Sequence, residues 1–146
     1  MQEQTPAKPV SKSGPVWWYR WVSILTAVLL LIQPILAGQF AYNGKSDLEN
    51  VHEMLGNVIF LTAVGQLVLA FLARKTYGVG LVGHNAGLVV LVVAQIGLGY
   101  AGDSVDRPKE LAYHIPLGVL LFGMGCLAPF MGFFDLRAQR RRPSRP

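Results

Sequence analysis

Two histidines occupy matching places in the chain. Sliding the sequence on itself by 62 residues, without a gap, lays His52 on His114, Gln33 on Gln95 and Gly56 on Gly118. Several apolar positions coincide as well, but those matches are cheap between apolar segments, so the Gln, His and Gly matches carry the signal. Neutral imidazole is a good ligand for iron, haem is commonly held axially by His, and cofactor sites in helix bundles are built from side chains on facing helices. The pair His52 and His114 is therefore read as the metal-ligating set for one haem, of b type. A glycine four residues after each histidine lies on the same helix face one turn on, where a missing side chain lets a flat macrocycle approach the backbone. Gln33 and Gln95 are placed to orient the rings by hydrogen bonding.

These residues need elements to hold them. Of the 146 residues 52% are hydrophobic and only 14% charged, whereas an ordinary soluble domain carries about 25% charged residues. That balance excludes a disordered or nucleic-acid-coating protein. Four apolar stretches, Trp17 to Phe40, Leu48 to Ala73, Gly78 to Tyr100 and Leu111 to Phe134, are each long enough to span a bilayer, which takes about 20 mostly apolar residues. The expected architecture is an all-α integral membrane protein: a four-helix transmembrane bundle over residues 17–136, with a flexible tail at 1–16 and a basic tail at 137–146. The same-direction repeat implies two helix hairpins related by a parallel pseudo-two-fold axis along the membrane normal.

The net charge of +5 resolves in this frame. One side receives Lys8, Lys12, Arg20, Arg74, Lys75, Arg137, Arg140, Arg141, Arg142 and Arg145, and the other only Lys45, Arg107 and Lys109. By the positive-inside rule both termini are expected in the cytoplasm, with the chain in a bacterial-type cytoplasmic membrane. Trp17, Trp18, Tyr19 and Trp21 are read as an aromatic anchor at the inner interface. The first stretch exceeds a usual signal core and the repeat requires it, so it is read as a retained span. The single cysteine, Cys126, cannot form an intrachain disulfide and is read as a small packing residue.

Depth follows from the helix starts. Ser46-Asp47-Leu48-Glu49 fits the S-x-x-E capping box, which puts His52 roughly 7 to 9 Å below the start of the second helix. Asp106 as N-cap and Pro108 in the first turn predict a similar start for the fourth. Both histidines then lie in the outer leaflet, level with Gln33 and Gln95 near the outer ends of the first and third helices. Intramembrane polar groups are costly and by default functional. The structural alternative stays open: a histidine near an interface is commonly just a hydrogen-bonded residue, and small residues four apart also mark plain helix packing. Zinc fits less well, because a structural site wants four ligands and no Cys or carboxylate repeats with the histidines. His84, in the inner leaflet, has no histidine partner and is read first as a structural hydrogen bonder, with Asn85 or Gln66 as candidate partners, and a quinone contact or proton relay as the alternative. Glu53 is read as a solvated or headgroup-facing charge.

The run Glu49-Asn50-Val51-His52-Glu53-Met54-Leu55-Gly56 resembles the segment of haem A synthase in which a Glu stands three residues before a haem-ligating His that is followed by a Gly, and His114 with Gly118 resembles the second ligand of the same half-domain. The sequence is also similar to small bacterial four-helix membrane proteins in which an Ala-Gly pair, here Ala37-Gly38, precedes a His-x-x-x-Gly helix. The resemblance implies a single four-helix half of a two-bundle architecture, with Glu49 as a candidate catalytic residue. It departs from that family in offering one ligand pair rather than two haem sites, a deficit a homodimer would supply. Three functional classes follow. The first is a b-type cytochrome passing single electrons near the outer face, with a quinone or a redox protein as partner. The second is a haem-modifying or quinone-linked oxidoreductase, and the third a non-haem assembly or anchor subunit. Membrane lipid is the expected surroundings, and no nucleic acid is expected as a partner.

Overall fold

A segment crossing hydrocarbon has no water to satisfy its backbone, so it must bond to itself, and long apolar stretches become helices. A computed structural model of the chain describes residues 14–44, 46–101 and 107–140; the side chains of residues 40, 46, 107–111 and 134–140 lie outside the description. The elements are α1 (Pro15–Asn43), α2 (Ser46–Leu72), the single turn α3 (Arg74–Tyr77), α4 (Val79–Ala101) and α5 (Arg107–Arg140). Four of them, α1, α2, α4 and α5, are long and apolar enough to cross a membrane. They correspond to the four expected spans, with two adjustments at the ends. Helix α1 already begins at Pro15, a residue whose fixed φ suits a first turn, and α5 continues to Arg140, into the basic tail. The expected caps at Asp106 and the Ser46 hydroxyl, and the charges of both tails beyond Arg140 and before Gly14, fall outside the described residues.

The connections are tight. Gly44 and Gly78 have φ of 63° and 83°, left-handed values that glycine adopts without a Cβ penalty and that let the chain leave one helix and enter the next. Asp47 and Glu49 lie in the first turn of α2, where negative charge complements the helix dipole. Pro34, Pro116 and Pro129 sit inside helices that run on through them.

Around the bundle α1 packs against α2 and α5, and α4 packs against the same two. Helices α2 and α5 therefore stand on a diagonal and, through the two hairpins, run in the same direction. The core between the four contains Leu30, Ile59, Ala63, Leu88, Val92 and Leu121. A second cluster of Tyr19, Ala70, Ala73, Tyr77 and Leu81 lies toward the α3 end, where small residues let helices approach closely. Large apolar side chains such as Val28, Leu61, Val68, Val90 and Leu120 face outward, as lipid contact requires.

The α3 end also holds a buried polar knot. Gln66 Nε2 donates to Asn85 Oδ1 at 2.6 Å, Asn85 Nδ2 donates to the Tyr19 hydroxyl at 3.1 Å and to Leu81 O at 2.7 Å, and the Tyr19 hydroxyl reaches Ala128 O at 3.4 Å. One chain of contacts thus touches α2, α4, α1 and α5. Tyr19 is 0% exposed, against 51% for Trp18 and 55% for Trp21, so it is a core residue and not part of the aromatic anchor that its neighbours form. Ser23 and Thr26, also buried, satisfy their hydroxyls on Arg20 O and Val22 O of their own helix. Replacing Asn85 by Ala strips the Gln66 amide and the Tyr19 hydroxyl of a partner at once. The expected loss is about 1–3 kcal/mol, read as unfolding at lower denaturant in mixed micelles, with Tyr19→Phe costing less because it leaves the Gln66–Asn85 bond in place.

Candidate functional site between alpha2 and alpha5

Near the other end of the bundle, where α1 turns into α2, a cavity of about 320 Å³ opens between the helices, within the range of small-molecule sites. Its wall is almost wholly apolar and takes Gln33 from α1, His52 and Gly56 from α2, Gln95 from α4 and His114 and Gly118 from α5. Six residues picked out by one sequence offset thus line one space.

The two imidazoles are neighbours across the diagonal, with ring centroids 6.4 Å apart and planes inclined at 58°. A metal held between two ring nitrogens at bonds of about 2.0–2.1 Å puts the centroids about 6.4 Å apart when the rings point at each other. The separation would admit one metal atom if a nitrogen of each ring faced the other. Among the described residues there is no group of three or more His, Cys, Asp or Glu able to hold a metal ion. Two histidines would give an iron only two donors, so a haem held here would have to bring the others with it.

The geometry around each histidine has a specific origin. Gln33 Nε2 donates to the His52 carbonyl at 3.1 Å, and Gln95 Nε2 donates to the His114 carbonyl at 3.0 Å. Both bonds join residues 19 apart in sequence. A helical carbonyl is flanked by the side chain four residues on, and in both cases that residue is glycine. A Cβ built on Gly56 would lie 3.5 Å from Gln33 Nε2, and one on Gly118 would lie 3.1 Å from Gln95 Nε2. The glycines make room for the amides that clamp the histidine turns. The amides act on the backbone of each histidine rather than on its ring, which locates their orienting role differently from the ring hydrogen bonds expected from sequence.

The rings themselves differ. His52 Nδ1 lies 3.3 Å from Gln33 O, and because a carbonyl only accepts, that contact requires hydrogen on Nδ1 and leaves the lone pair on Nε2. Ligating histidines commonly donate their other ring N–H to a backbone carbonyl in this way, which fixes tautomer and ring angle. Gln33 and His52 therefore hold each other twice, side chain to backbone in both directions. His114 has the second half of this arrangement only loosely. Its ring is turned to the Gln95 backbone without a well-formed bond from Nδ1, and its Cε1 lies 3.5 Å from where a Cβ on Gly99 would stand. The side-chain oxygens of Gln33 and Gln95 are likewise buried without partners on the cavity wall.

Two carboxylates stand near this level. Glu49, the candidate catalytic residue, is half-buried and does not line the cavity, whereas the exposed Glu53 does. Tyr100 and Gly99 at the end of α4 also line it. None of these three follows from the matches of the repeat. His84 lies away from the cavity and its Nε2 bonds Met124 O at 3.1 Å. It is the structural hydrogen bonder expected, but its partner is a carbonyl of α5, while Asn85 and Gln66 bond each other. Cys126 is half-buried and free.

The two glycines separate in a simple experiment. Alanine at position 56 meets the amide at ordinary contact distance and adds helix propensity, so Gly56→Ala is expected to be neutral or stabilising by up to about 1 kcal/mol. Gly118→Ala displaces an amide held by its own hydrogen bond and is expected to cost about 1 kcal/mol relative to Gly56→Ala. Thermal unfolding of the two variants in detergent checks the order.

No family model, curated protein or solved structure matches the chain.

Proposed function

We propose that the chain is a small b-type membrane cytochrome in which His52 and His114 ligate one haem from the diagonal helices α2 and α5. The observation that carries the reading is the 6.4 Å separation of the two rings across a cavity whose wall is apolar. A haem held by His52 and His114 would supply reversible one-electron exchange. The chain's own contribution is positional. Gln33 locks the His52 turn and ring, Gln95 locks the His114 turn, Gly99 borders the His114 ring, and the apolar wall with Ile59, Val92 and Leu121 excludes water, which tunes the potential through burial. The distribution of Lys and Arg supports a cytoplasmic-membrane protein with both termini inside and this site in the outer leaflet, facing a redox protein or lipid-soluble carrier at that side. The matching Gln-to-carbonyl bonds in the two hairpins support a parallel pseudo-two-fold repeat.

One observation favours a second reading. The His114 ring meets the Gln95 backbone more loosely than His52 meets Gln33, and a less firmly anchored ligand would be the natural candidate to open a coordination position. That would make the chain an oxidoreductase, in the manner of the half-domain of haem A synthase that its sequence resembles, with Glu53 closer to the cavity than Glu49.

Absorption spectra of the protein purified from cells with ample haem test both readings. Sharp reduced α and Soret bands are expected for the natural sequence and for His84→Ala, and their loss in each of His52→Ala and His114→Ala. A colourless protein contradicts both and leaves the non-haem anchor. Carbon monoxide that leaves the reduced spectrum unchanged supports the sealed electron carrier; a shifted Soret band supports the enzyme.

A further inference from the structure

The repeat matches at the histidines and fails at one seam. Under the 62-residue offset Glu53 falls on Ile115, Asn57 on Val119, and Tyr100 on Gly38. The cavity is bordered by exposed residues on both seams: Ile115 and Val119 on the α5 side, where every rim residue is apolar, and Glu53 and Tyr100 on the side where α2 meets α4. Asn57, one turn after Glu53 on the same face of α2, donates from Nδ2 to the Tyr100 hydroxyl at 3.2 Å and bridges the two helices. An exposed carboxylate, amide and phenol beside a lipid-facing opening is costly to maintain unless the groups meet something polar.

The chemistry of this rim narrows the occupant. An ionised carboxylate only accepts, while the amide and the phenol each both donate and accept. Helices α2 and α4 contain no Lys or Arg, so a phosphate headgroup would meet a negative charge and no cation on either helix of the seam. A neutral ring bearing hydroxyls finds an acceptor in Glu53, and the same ring with carbonyls in their place finds a donor in Tyr100, whose hydroxyl accepts from Asn57 and keeps its own hydrogen. The Asn57 amide, bonded also to Glu53 O at 3.4 Å, holds the phenol in place. The rim is thus complementary to both redox forms of one headgroup, and the cavity behind it leads to the imidazole pair.

We infer that the α2–α4 seam at Glu53, Asn57 and Tyr100 is a lateral binding site for the headgroup of a lipid-soluble quinol or quinone. The choice of a redox-active ring rests on the haem reading above; the polarity and position of the seam do not.

The test is photolabelling of the full chain in detergent or nanodiscs with an azido-benzoquinone carrying a decyl tail, followed by peptide mapping. The label is expected on the segments around residues 53–57 and 99–100, to be competed away by unlabelled decyl-benzoquinone, and to fall about tenfold or more in Glu53→Gln with Tyr100→Phe. Ile115→Gln on the opposite seam is expected to leave it unchanged. Labelling that is not competed, that maps elsewhere, or that survives intact in the double variant overturns the site. The absorption spectrum of each sample is read alongside. A coloured protein without competed label at the seam overturns this inference alone, and a colourless protein that still takes competed label at the seam overturns the haem reading while upholding the binding site.

Discussion

An imidazole inside a bundle of apolar helices keeps its place only if moving it breaks something, and here the bond at stake runs from a glutamine amide to a histidine carbonyl. Gln33 reaches His52 and Gln95 reaches His114 past a glycine four residues on, with the space tight at Gly118 and at ordinary contact distance at Gly56. In a low-dielectric interior such a bond is strong in electrostatic terms and leaving its donor unpaired is costly. The helix pairs α1–α2 and α4–α5 are thereby fixed in register at the level of the histidines, and the spacing between the rings follows from that register.

The bundle carries its polar groups at two levels with different characters. At the α3 end the Gln66, Asn85 and Tyr19 side chains bond to one another and draw all four helices together, although Gln66 Oε1 stays buried without a hydrogen bond. At the histidine end the Gln33 and Gln95 amide oxygens are also buried without hydrogen bonds, and here they surround a cavity and not a packed core. Unsatisfied buried polar atoms are rare in native proteins and call for an explanation. The α3 end is packed closed, and the histidine end is open around its cavity.

Much of this was legible in the sequence, and the omissions have physical reasons. The four spans follow from apolar length alone, since lipid permits few alternatives to a helix. His52, His114, Gln33, Gln95, Gly56 and Gly118 were singled out by one offset and line one cavity. What the glycines accommodate was not legible, because spacing shows that a side chain is missing and not what fills the space. Tyr19 is hidden in a run of tryptophans that belongs at an interface, and its burial depends on Asn85, 66 residues away. The spacing of a Glu three residues before His52 drew attention to Glu49, yet Glu53 shares a helix face with Gly56 at the level of the cavity, while Glu49 stands about a turn further out. The polar seam is visible only where the repeat fails, and a search for matches passes over it.

The claim on which the account turns is that two histidines from diagonal helices fill both axial positions of one iron. Electron paramagnetic resonance of the oxidised, purified protein, quantified against haem content per chain, addresses it most directly. The account predicts one haem per chain with a low-spin ferric signal, converted in part or whole to high spin when either His52 or His114 is replaced by a non-ligating residue. A high-spin signal in the natural sequence, or a protein that takes up no haem when it is supplied, would contradict it.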